Sequence, residues 1–116
     1  MTKETREHKV LSMLALVMGG LYFKVLVIAD NKFMGRIVFD QLYDLIHHKP
    51  GPWTASKTLL ELQIGPANIV IRSIDYDADK LRGNEWDLIV NLMDNHGGYT
   101  AMIKSGLRLG PNPIMI

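Results

Sequence analysis

The sequence contains no cysteine, so a disulfide framework, a thiolate nucleophile and cysteine-ligated zinc are all excluded. That absence fits a cytoplasmic protein. There is no excess of either charge: 13 Lys and Arg stand against 12 Asp and Glu, for a formal net charge of +1. Bulk electrostatics therefore give no reason to expect nucleic acid, and only a local basic patch could attract it. No apolar run is long enough to cross a bilayer, which takes about 20 residues. The longest near the start, "VLSMLALVMGGLYF" from Val10 to Phe23, is broken by Gly19-Gly20 and has no small-residue cleavage pattern. A buried helix is the preferred reading, with a signal peptide as the alternative, and no membrane partner is expected. A phosphate loop is missing too. No G-x-x-x-x-G-K-[ST] occurs, and Lys57-Thr58 has no glycine-rich turn before it. Triphosphate binding of the usual kind thus lacks its anchor.

What remains is a chain of 116 residues, 47% of them hydrophobic, which suits one compact domain. From Thr2 to about Met18 the spacing is helical, with Thr2 as N-cap and Val10, Leu11, Leu14 and Met18 on one face. Gly19-Gly20 supplies the stop. "KVLVIAD" (24–30) is a continuous apolar run rich in β-branched residues, the pattern of a parallel strand buried on both faces. Residues 33–48 return to helical spacing, with Ile37, Phe39, Leu42, Tyr43, Leu45 and Ile46 on a broad apolar face. "KPGPW" (49–53) breaks that helix and opens a loop. "TLLELQI" (58–64) and "NIVIRSI" (68–74) flank "GPA" as a hairpin. "DLIVNL" (87–92) is a further strand, "GGYTAMIKSG" (97–106) a short helix, and "PIMI" (113–116) the opening of one more strand. The fold class expected is α/β, a mostly parallel sheet flanked by helices with one β-hairpin.

Candidate site residues follow from that layout. Ligands of open α/β sheets bind beyond the carboxyl ends of the strands, which singles out Asp30 and Asn31 after the first strand. Either also suits capping the next helix, and that role is preferred. Asp94, just past the 87–92 strand, is a candidate magnesium ligand, with Asn95 beside it as a nucleotide-site candidate. His47, His48 and His96 are not expected to form a zinc site, because adjacent histidines at a helix end point apart. A contact between an imidazolium and the helix C-terminal dipole is the preferred role. Lys104 and Arg108, with Lys80 and Arg82, would form a DNA-contact patch if their segments meet in space. "DYDADK" (75–80) reads as a solvated acidic loop.

From "KVLVIADNKFMGRIVFDQL" through "IVIRSIDYDADKLRGNEWDLIV" to "YTAMIKSGLRLGPNPIMI", the chain resembles the ATPase domain of phage terminase large subunits, motors that package viral DNA. Leu81-Arg82-Gly83 followed by "WDLIV" is the most specific part of the likeness. The resemblance implies a P-loop-NTPase-like core fragment, with ATP and magnesium as cofactors. It also implies packaging proteins and DNA as partners, inside the host bacterium. It further implies that 87–92 is the Walker B strand. Without gaps from Gly83, the family's Asp-Glu pair falls on Leu92 and Met93; with a two-residue slip it falls on Asp94 and Asn95. Neither register supplies the glutamate that orients water, so no independent ATP hydrolysis is expected and no catalytic residue is assigned. The rival expectation is a small α/β interaction or regulatory module with a ligand or partner at the strand ends near Asp30 and Asp94. Self-association through an exposed sheet edge is compatible with either.

Overall fold

The computed structural model of the chain describes residues 2–20, 22–49, 51–73, 85–93 and 108–116, of which 85 and 108–115 are described as backbone. Over these, helix α1 (Lys3–Met18) leads into strand β1 (Lys24–Ala29), helix α2 (Lys32–Ile46) and strands β2 (Trp53–Ser56), β3 (Glu61–Ile64), β4 (Ala67–Ser73), β5 (Glu85–Asn91) and β6 (Arg108–Met115). The strands form one sheet in the order β2-β3-β4-β1-β5-β6.

The α/β class is as expected, but the sheet is mixed rather than mostly parallel. β1 pairs in parallel with β4 and with β5, and β5 with β6; β2–β3 and β3–β4 are antiparallel. The reason is connection length. Only Gly65 and Pro66 join β3 to β4, too few residues to return the chain for a parallel pairing. Gly65, at φ +55, occupies the left-handed region such a turn requires. The hairpin is thus where it was expected, and β2 extends it where a loop was anticipated. At Leu60, before β3, φ is +54 on a buried leucine, a conformation that costs roughly 1–3 kcal/mol and is held by packing.

β1 sits at the centre. Val25, Leu26, Val27 and Ile28 are fully buried, as a two-faced strand demands. Val25 and Val27 join the larger core, which α1 and α2 cover with Val10, Met13, Val17, Val38, Phe39 and Leu42. Leu26 and Ile28 cluster on the other side with Val70, Trp86, Ile89 and Met93. The face of α1 differs from the expected one: Val10, Met13, Leu14 and Val17 are buried, while Leu11 and Met18 are half exposed. Both stripes have helical spacing. The segment is apolar nearly all round, so its sequence alone does not choose between them. In α2, Val38, Phe39, Leu42 and Ile46 are buried, and Tyr43 lies outward.

Two departures concern the last strands. β6 begins at Arg108, five residues before the expected start at 113. It also loses register with β5, because residues 109–114 span the stretch opposite Trp86 to Leu88. Pro111 and Pro113 fall in that stretch and have no N–H to donate to a ladder. Beside the irregularity, Trp86 packs with Ile89 rather than with Leu88 and Val90. The expected 97–106 helix lies outside the described residues.

Gly35 in α2 lies close under its neighbours: a Cβ there would meet Ile71 Cγ2 and Leu60 Cδ1, each at 3.4 Å. That is contact without overlap, so Gly35→Ala is expected to stabilise the protein by about 0.5–1 kcal/mol through reduced unfolded-state freedom. Gly35→Leu is expected to destabilise it by about 1–3 kcal/mol through overpacking. Urea unfolding midpoints of the two variants check both signs.

Candidate functional site at the carboxyl ends of the strands

The chain crosses from β1 to β4 on one side, then to β5 on the other. A crevice at the carboxyl ends of these strands is the usual ligand position in such sheets. α2 starts there directly, since Asp30 and Asn31 alone separate it from β1. Asn31 is its N-cap: Oδ1 accepts from the Met34 N–H at 2.8 Å, and the Asn31 carbonyl accepts from the Gly35 N–H at 3.0 Å. The preferred capping role is therefore the one this residue fills. Asp30, half-buried, is engaged within the chain.

α1 brings its N-terminal half to the same end. Lys9 Nζ donates to the carbonyl of Asn91, the last residue of β5, at 2.9 Å. Thr2 caps the helix, its Oγ1 accepting from the Thr5 N–H at 3.1 Å. Two helix N-termini, each with partial positive charge, thus flank the strand tips. Asn91, which interrupts the apolar run, finishes the strand. Its Oδ1 accepts from the Met93 N–H at 3.0 Å, and its N–H donates to Ile116 O at 2.9 Å. Leu92 and Met93 continue inward, both buried, and the Leu92 N–H still bonds Ile28 O at 2.9 Å. The two positions of the gap-free Walker register are therefore packed apolar side chains.

Between α2 and the hairpin lies a small cavity of about 90 Å³, lined by Lys32, Gly35, Thr58, Leu60, Arg72 and Ser73 among others. Arg72 is occupied by its own fold. Its Nη1 donates to the carbonyls of Leu59 and Ile71, both at 2.8 Å, and its Nη2 meets Glu61 Oε2 at 3.1 Å. This guanidinium ties the turn before β3 to β4. A larger apolar hollow of about 250 Å³, with Val17, Ile46, Trp53 and Ile64 in its wall, lies where α1 and α2 end.

The other expected site residues are separated from these tips or lie outside the described residues. Leu81, Arg82, Gly83, Asp94, Asn95, Lys80, Lys104, His96 and the acidic cluster at 75–80 are in the second group. Arg108 stands opposite Glu85 at the start of β6, the amino end of the parallel strands and the far end from Asp30. His47 is the C-cap of α2, its Nδ1 3.0 Å from Tyr43 O; the His48 ring lies tilted against it, centroids 3.7 Å apart rather than pointing away as expected, and both are exposed. Among the described residues no group of three or more His, Asp or Glu side chains is placed to hold a metal.

Sequence reasoning missed Arg6, Lys9 and Asn91. The signal for the first was present: Arg6 continues the buried stripe of Val10, Met13 and Val17 by one further turn. Asp87 also has a structural role. Its Oδ2 accepts from the N–H groups of Phe23 and Lys24 at 3.2 and 3.0 Å, pinning the start of β1. No family model, curated protein or solved structure matches the chain.

Asn31→Ala is expected to cost about 1 kcal/mol, because it frees the Met34 N–H at the helix start. Asn31→Asp, which keeps an acceptor near a helix N-terminus, is expected to retain most of that stability. Thermal unfolding of both variants provides the check.

Proposed function

We propose that the chain is the core of a terminase-like ATPase domain, associated with viral DNA packaging and lacking independent ATP hydrolysis. The reading rests on the resemblance carried by Leu81-Arg82-Gly83 and "WDLIV". The observation that supports it most is the setting of β5. This strand runs between two parallel neighbours, β1 and β6, and releases the chain at the carboxyl end of the sheet. Asp94 is the first polar residue after buried Leu92 and Met93, which favours the slipped register for the Walker B strand. In this reading the fold is a P-loop-NTPase-like core. Asp94 would hold magnesium and so neutralise nucleotide phosphate, while Asn95 contributes no carboxylate to orient water. No phosphate loop occurs in this sequence, so in this reading the nucleotide's other contacts come from outside these 116 residues, as from a packaging partner. The setting is the cytoplasm of the host bacterium, with DNA as the cargo.

A second reading has a specific observation in its favour. Both helix N-termini and Lys9 gather at the strand tips independently of Asp94, as a small ligand-binding or regulatory α/β module would also require.

Titration with labelled ATP, with and without magnesium, separates the two readings. The ATPase-core reading expects saturable, magnesium-dependent binding without turnover, weakened about tenfold or more by Asp94→Asn, or ~1.4 kcal/mol. Steady ATP turnover by the isolated chain would remove the claim that it lacks hydrolysis. Binding that ignores magnesium and Asp94→Asn would favour the regulatory module.

A further inference from the structure

Arg6 is the one charged side chain on the buried stripe of α1. It lies a turn before Val10, about 6 Å further along the axis. Because Lys9 Nζ reaches the carbonyl that ends β5, Arg6 is carried past the tip of that strand. Its Nε has no access to solvent and, among the described residues, no hydrogen-bond partner, while the side chain as a whole is half-buried. Its neighbours on the helix face, one turn away, are Thr2, Lys3, Lys9 and Val10: two further cations and no carboxylate. Lys3 is drawn off toward Glu7 at 3.9 Å, and Lys9 is spent on Asn91. The described acidic groups with ion pairs find them elsewhere, Asp40 with Lys57 and Glu61 with Arg72. The described residues past the tip, Leu92, Met93 and Ile116, have apolar side chains.

A guanidinium with a buried, unanswered N–H is costly, since a desolvated donor loses its water without gaining an acceptor. One reason for a protein to keep such a group is a ligand that supplies the missing acceptor. A planar fork of donors matches a tetrahedral oxyanion with two oxygens in line, which a lone ammonium does not. We propose that Arg6 is an anion-binding residue that takes a phosphate group at the carboxyl tip of β5, with Lys9 holding α1 in position for it. The proposal rests on the buried, unanswered Nε–H of Arg6 rather than on the helix terminus. It deepens the reading of the strand tips as a phosphate-handling site by naming the residue that receives the phosphate.

The test uses the full chain and inorganic phosphate as the probe, with sodium chloride at matched ionic strength as the control. Phosphate is expected to raise the unfolding temperature saturably, beyond the chloride control. Arg6→Met keeps the apolar stem and removes the fork. It is expected to unfold at a higher temperature than wild type without phosphate, because an uncompensated cation has gone, and to lose the phosphate response, with affinity down at least tenfold. Arg6→Lys, with charge but no fork, is expected to fall between the two. A wild-type protein that does not respond to phosphate overturns the proposal. So does a response that survives in Arg6→Met, which assigns the anion to other groups. An Arg6→Met variant less stable than wild type without phosphate overturns it as well, because the guanidinium then has a partner within the chain. If phosphate binds through Arg6 while ATP shows no magnesium dependence, this assignment stands and the ATPase-core reading falls.

Discussion

Everything in this fold is referred to β1. It is hydrogen-bonded on both sides, to β4 and β5, and four of its consecutive side chains have no exposed surface. A strand with neither a free edge nor a wet face has one acceptable environment, so its neighbours inherit their positions from it. α1 and α2 cover the face that carries Val25 and Val27. The hairpin hangs from the β4 side and β6 from the β5 side. Even the start of β1 is held from outside, by the carboxylate of Asp87 on its backbone N–H groups.

The functional geometry follows from the same arrangement. α2 begins two residues after β1, and α1 is pinned by Lys9 to the end of β5, so both helices present their amino ends to the carboxyl side of the sheet. The amino ends of both helices, with Arg6 and Lys9, therefore lie toward the strand tips, although Glu4 and Glu7 stand in the same turns of α1. Arg72 shows how differently two arginines are used. It is satisfied by two carbonyls and Glu61 and serves the hairpin, whereas the Nε of Arg6 is buried without an acceptor among the described residues.

Much of the architecture was legible along the chain because its signals are local. Thr2 and Asn31 cap the helices they precede, "GPA" turns a hairpin, and "KVLVIA" reads as a doubly buried strand. The errors arose where local pattern was degenerate or the deciding partner distant. Residues 10–18 are apolar on more than one side, so the burial of Met13 and Val17 in place of Leu11 and Met18 was set by the sheet. β2 carries a short, polar sequence with little strand signal of its own, and it is drawn into the sheet by pairing with β3. β6 runs through two prolines, which reads as a break until β5 is there to accommodate the irregularity.

The candidate site divides in the same way. Asp30 and Asn31 were visible because they follow an apolar run, and a residue after a strand is at a strand tip whatever the topology. Arg6 and Lys9 were not, because a cation early in a surface helix is ordinary until that helix is laid over the end of a particular strand. The sequence by itself determined both described helices, strands β1 and β5, the β3–β4 hairpin and where two of the strand tips fall, since periodicity, caps and turns act between near neighbours. Only the tertiary structure decided which helix face is buried, that the sheet is mixed, and that α1 brings its cations to the tip of β5. Those outcomes depend on pairing between residues some eighty positions apart, such as Lys9 and Asn91, and no local pattern records them.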